Sequence, residues 1–157
     1  MKKLPRLDEL LQYKNTLVIK RFSILFPQFK QDAEKIFEDM LSYLWLCKKF
    51  ELDKSQCKDS PELNFTCVMH KEMEIIDEMW HAFILVTVDY ANFCEQYFGE
   101  FLHHLPEMGE EIDKNFEVDT EIFRQELSLF LSYIYDNLGE NTLKRWFSQY
   151  LEAYQAT

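Results

Sequence analysis

Apolar positions recur at helical spacing along most of this chain. Between residues 6 and 25, Leu7, Leu10, Leu11, Leu17, Val18, Phe22 and Leu25 fall at mixed intervals that predict one or two helices. The short run Leu17-Val18-Ile19, read alone, would also suit a strand. Pro27 closes this stretch. From Gln28 to about Leu52 the stripe Ala33, Ile36, Phe37, Met40, Leu41, Leu44 and Cys47 predicts a helix. Asp32, Glu34 and Glu38 stand near its start, where the helix dipole favours anions. Over residues 51–70 the period lapses, and Ser55, Asp59, Ser60 and Pro61 predict a long connection.

Helical period returns at about residue 74 and runs to 98. Ile76, Trp80, Phe83, Tyr90, Cys94 and Tyr97 share one side of that helix, while Ile84, Leu85, Val86 and Val88 carry apolar character to its other faces. A helix apolar on several sides is enclosed by its neighbours, and Gly99 is placed to end it. Residues 107–119 read as an acidic loop. Asp119 or Thr120 then caps a helix with the stripe Phe123, Leu127, Phe130, Leu131, Ile134 and Leu138. Gly139 ends it, Asn141 caps the next, and Leu143, Trp146, Phe147, Tyr150, Leu151 and Tyr154 form the last stripe. So short a link predicts that this C-terminal helical pair, about 120–155, packs antiparallel. The expected fold is all-α: a single helical domain over 1–157, a compact bundle of about five to six helices around a buried central helix at about 74–98.

Composition agrees. The chain has 157 residues, the size of one domain, with 14 Phe and 8 Tyr to fill a core and only 3 Gly and 4 Pro, too few for the turns of an all-β fold. Its 28 acidic and 17 basic residues leave a net charge of -11. That balance argues against nucleic acid and anionic membranes, which need a basic surface, and leaves a protein partner with a basic surface or a cation. No apolar run matches a signal-peptide core or a membrane span, so a soluble protein of the cytoplasm is expected. Cys47, Cys57, Cys67 and Cys94 are irregularly spaced with no CxxC pair, and reduced thiols are the expectation.

Candidate chemistry gathers in the central stretch. Asp77 and His81 stand four apart, so on a helix their side chains meet. A carboxylate beside an imidazole fixes its tautomer or joins it in binding a metal. A third ligand would have to come from His103 or His104 beyond the helix end; two imidazoles with a carboxylate suit zinc, or iron with open positions for substrate. The HExxH pattern is absent. A structural reading stands beside this one: a local ion pair at Asp77 and His81, and a turn at the paired histidines before Pro106. Trp80, Tyr90 and Cys94 are candidates to line such a site, and are equally read as core aromatics and an inert buried thiol.

The segments SYLWLCKKF at 42–50 and IDEMWHAFILVTVDYANFCEQYFGEFLHHLP at 76–106 resemble the glycine-rich domain-containing protein-like family, a former domain of unknown function. The quoted positions are Asp77, Met79, Trp80, His81, Ile84, Leu85, Thr87, Tyr90, Cys94, Phe98, Gly99, Phe101, His103, His104 and Pro106. This motif region, about 42–106, lies within the first two thirds of the chain. The resemblance implies a helical domain and a shared polar site at Asp77, His81 and the later histidines, without a characterised activity. Two departures stand out: there is no glycine-rich tail, and Phe83 occupies a position where many relatives carry a second histidine.

Three functions are therefore expected, in this order. One is a module that binds a divalent metal or small ligand through Asp77, His81 and His103 or His104. The next is an interaction protein whose acidic surface recognises a basic partner while the central motif serves only the fold. Last comes a metal-dependent hydrolase or oxygenase assisted by Tyr90 or Glu78, since no nucleophile with its base, phosphate loop or cofactor fingerprint is visible.

Overall fold

The computed structural model describes residues 2–105 and 120–155. Among them the fold is all-α, with helices α1 (Leu7–Leu10), α2 (Thr16–Leu25), α3 (Ala33–Gln56), α4 (Glu74–Ile84), α5 (Thr87–Phe98), α6 (Thr120–Leu138), α7 (Glu140–Lys144) and α8 (Tyr150–Gln155). Tight 3-10 turns occupy Pro27–Asp32, Pro61–Leu63 and Lys71–Met73, and one π turn, Arg145–Gln149, joins α7 to α8. No described helix is long and apolar enough to cross a membrane. The acidic loop at 107–119, the cap expected at Asp119 and Pro106 lie outside the described residues.

The strand option at Leu17-Val18-Ile19 yields to a helix because Asn15 caps it: its side-chain oxygen accepts the Val18 N–H at 3.1 Å. Val18 and Phe22 then point into the core. The axis of the molecule is α3, which buries Ile36, Phe37, Met40, Leu41, Leu44, Leu46 and Phe50 and packs against α1, α2, α4 and α6. It begins after the 3-10 turn and runs past Leu52 to Gln56. In that last turn Lys49 pairs with Asp53 at 2.7 Å, and the Cys57 N–H closes on the Asp53 carbonyl at 2.9 Å. The connection after α3 is packed: Leu63 and Phe65 are buried, and the Phe65 ring lies 4.5 Å from Phe50 and 5.7 Å from both Phe130 and Tyr133.

The structure corrects the expected helix at 74–98. It is two helices, α4 and α5, broken at Leu85 and Val86. The Val86 N–H bonds to the Phe83 carbonyl, a tightened last turn, and Val86 itself leaves the helical region with ψ 71°. The run Val86-Thr87-Val88 is β-branched and favours helix weakly. With the corner in place, Phe83 and Tyr90 both face inward and meet edge-on at 5.0 Å. The apolar residues Ile84, Leu85, Val86 and Val88 sit at this corner and do not enclose a helix, with Leu85 and Val88 65% and 70% exposed.

The second helix of the C-terminal pair is also in pieces: α7, the π turn and α8. Gly139, at φ 92°, ends α6 and flanks α7 directly, so Asn141 lies inside α7 and is not its cap. The π turn carries Trp146 fully buried and brings Arg145 onto α3, where its guanidinium donates to both carboxylate oxygens of buried Asp39 at 2.8 and 3.0 Å. The Tyr150 hydroxyl donates to the same carboxylate.

Candidate functional site

Asp77 and His81 share one face of α4, as their spacing predicts. His104 arrives from beyond α5, and the corner at Leu85–Val86 is what lets it arrive. In one continuous helix, Phe98 would stand about 32 Å from Asp77. The six residues from Phe98 to His104 span about 21 Å even fully extended, too short to return. The break turns α5 out of line with α4, and the residues after Gly99 then bring His104 back to Asp77. Gly99 takes the left-handed conformation, φ 71°, that closes α5.

Contacts to α3, α4 and α5 then hold residues 100–104 in place. The Tyr90 hydroxyl donates to the Leu102 carbonyl at 2.5 Å while accepting Trp80 Nε1–H at 3.0 Å. Lys48, on α3, pairs with Glu100. The Trp80 indole stacks on the His104 ring at 4.0 Å and 15°. His104 Nε2 lies 2.6 Å from Asp77 Oδ1, a hydrogen bond.

His81 completes the group. Its ring stacks on His104 at 4.7 Å, and its Nε2 lies 3.7 Å from the same Asp77 Oδ1. Asp77, His81 and His104 thus each offer a ligand atom, all within 4.8 Å of one another. The far nitrogens also face acceptors: His104 Nδ1 lies 3.3 Å from the Leu105 carbonyl and His81 Nδ1 3.7 Å from Glu78. Metal-ligating histidines commonly hold their second nitrogen against such a carbonyl or carboxylate. Side-chain exposure is 23% for Asp77, 46% for His81 and 16% for His104, so the group is open on one side. There it borders a groove of about 440 Å³ lined by Ile84, Leu85, Phe101, Leu102 and His103 with the two cluster histidines.

This arrangement can hold a metal after a small adjustment. Two donor atoms bound tetrahedrally to zinc stand about 3.3 Å apart, whereas Asp77 and His104 are at hydrogen-bond distance. The cation would take the place of the proton between them and spread the pair by a fraction of an ångström.

The other candidates separate clearly. His103 is outside the group; it packs on the Phe101 ring at 4.8 Å and borders the groove. Tyr90 is fully buried, and burial first of all pushes its hydroxyl well above the usual tyrosine range, so it positions the returning segment as a neutral bridge. Cys94 is likewise buried, and burial pushes its thiol up, which makes it inert. Trp80 touches the group directly, as a platform under His104. Phe83 lies in the core between Phe37, Tyr90 and Phe93, so the departure there removes nothing from the cluster. His70 precedes the turn at Lys71 and packs among Phe123, Phe130 and Phe147.

Two polar groupings carried no signal in the sequence: the Asp39–Arg145–Tyr150 network, and Cys47 with Cys67, whose sulfurs lie 2.7 Å apart. Cys67 stands 20 positions from Cys47, and Arg145 and Tyr150 stand 106 and 111 from Asp39, so no local spacing announces either grouping.

A family model described as UCP032817-like matches residues 10–127, from α1 into α6, and so includes Asp77, His81 and His104. That match overturns the resemblance to the glycine-rich domain-containing family. Much of the quoted pattern is residues that pack: Trp80, Tyr90 and Phe98 are buried, and Gly99 makes a left-handed turn. Such a pattern constrains a fold as much as a lineage. No curated protein and no solved structure matches the chain significantly. With well over half of its length matched, the chain belongs to the UCP032817-like family, an uncharacterised family of proteins.

Proposed function

We propose that this protein is a helical metal-binding module that holds one divalent cation, zinc or iron, on Asp77 Oδ1, His81 Nε2 and His104 Nε2. The observation that carries the reading is the convergence of three ligand atoms within 4.8 Å from two segments of chain on either side of α5. The donor set agrees: two imidazoles and one carboxylate suit zinc, or iron(II) with positions left open. The open side faces the groove, so a water or small ligand completes the coordination there.

The test is elemental analysis and calorimetric titration with zinc and iron(II). One equivalent is expected in the parent protein, with loss in His81→Ala, His104→Ala and Asp77→Asn and retention in His103→Ala. A parent protein that takes up no metal, or variants that bind as the parent does, would refute the reading.

The net charge of -11 supports a second reading, an acidic surface that recruits a protein with a basic surface. Under it, capture of that partner weakens with salt and is indifferent to His81→Ala. Loss of the partner in that variant, with the fold intact, would tell against it.

A further inference from the structure

Cys47 lies on α3 and Cys67 on the packed connection that leads into α4. Their sulfurs are 2.7 Å apart, well inside the roughly 3.5–4.0 Å at which unbonded heavy atoms settle. Both side chains are half-buried, while Cys57 is exposed and Cys94 is buried elsewhere. Flanking packing holds the two segments in place: Phe50, one turn along α3 from Cys47, meets Phe65, two residues before Cys67, at 4.5 Å.

We propose that Cys47 and Cys67 are a dithiol site that closes to an intramolecular disulfide when the protein meets a peroxide. One thiolate attacks a peroxide oxygen, the O–O bond breaks, and a sulfenic acid and water result. The second sulfur then attacks the sulfenic sulfur, forming the S–S bond and releasing a second water. Each cysteine sulfur loses one electron and each thiol one proton, and the peroxide takes up both electrons. The hydrogen bond with Cys47, and then burial, push the Cys67 thiol far above its usual range, so Cys67 carries little thiolate and serves as the second sulfur, which resolves the sulfenic acid.

The link would tie the connection to α3 seven residues before α4 opens with Glu74, and ten before Asp77. It therefore acts on the stability of the segment that supplies the metal ligands, through residues that are not themselves ligands.

The experiment treats the full chain with a small excess of hydrogen peroxide and blocks remaining thiols with iodoacetamide. Intact mass and a non-reducing peptide map are then read. Expected are loss of two of the four thiols, a mass lower by two hydrogens before alkylation, and a single cross-linked pair of peptides carrying Cys47 and Cys67. Cys57→Ser leaves the link unchanged, and Cys47→Ser and Cys67→Ser each abolish it. Four free thiols after treatment, a disulfide involving Cys57, or sulfinic acid on Cys47 or Cys67 in place of the link would overturn the proposal.

Discussion

Asp39 meets two side chains brought from the C-terminal helices, and Asp77 meets one from its own helix and one from beyond α5, yet the two settings differ in kind. Asp39, a buried residue of α3, spends both oxygens on Arg145 and one of them again on Tyr150. Its side chain is 3% exposed and that of Arg145 18%. The hydrogen bond with Asp39 pushes the Arg145 guanidinium further up, so Arg145 stays charged in the fold. Asp77 borders solvent, makes one short contact to His104, and leaves His81 at 3.7 Å. The closed network has no position left for a ligand, and the open one has. A polar cluster is therefore read less by its residue types than by how much hydrogen-bonding capacity it leaves unspent.

Substitutions break this comparison in order of their effect on stability. Asp39→Ala should cost about 3–5 kcal/mol, because it strands a buried guanidinium and hydroxyl. Urea denaturation measures it, and a loss below 1 kcal/mol would mean the network is not closed. Tyr90→Phe should cost about 1–3 kcal/mol by leaving Trp80 Nε1 and the Leu102 carbonyl unmatched. It should also weaken metal binding about tenfold, since His104 hangs from the segment that Tyr90 holds.

Gly99→Ala should cost about 1–2 kcal/mol for its left-handed backbone. Its added Cβ would stand 2.8 Å from Lys2 Cβ, so the amino-terminal strand of chain must shift as well. His81→Ala, at the open cluster, should change the stability of the metal-free protein within about 0.5 kcal/mol while abolishing metal uptake. Equal stability losses at Asp39 and His81 would erase the distinction.

The smallest effect is a pH dependence at His70. Burial first of all lowers its imidazole from 6.5, against a weaker upward pull from Glu72. Above pH 6.5 the ring is neutral in both folded and unfolded chains, and nothing is lost. As pH falls below 6.5 the unfolded chain takes the proton first, so stability declines until the folded-state value is passed. The difference in melting temperature between the parent and His70→Gln should change over that window and be flat above it; a difference that stays constant from pH 8 to 5 would refute the assignment.

What was legible in the sequence follows from local periodicity. The stripe from Ala33 to Cys47, the stop at Gly99 and the pairing of Asp77 with His81 are all properties of residues within a turn or two of one another. The corner at Leu85–Val86 was not legible, because its apolar side chains continue the helical period and only the packing of Phe83 against Tyr90 decides against a straight helix. The extension of α3 to Gln56 depends on a salt bridge and a tertiary bond, Lys49–Asp53 with Tyr133 donating to Asp53 at 2.6 Å.

By itself, then, the chain determined an all-α fold, where most helices lie, and two of three members of the candidate site. It also named both later histidines without distinguishing them. Only the tertiary structure decided that His104 joins Asp77 and His81 while His103 packs on Phe101. The physical reason is geometric. Helical period is set by neighbours a few residues away, but the distance from Asp77 to a histidine 27 positions later depends on one chain reversal, and two valines and a threonine at the corner do not announce it.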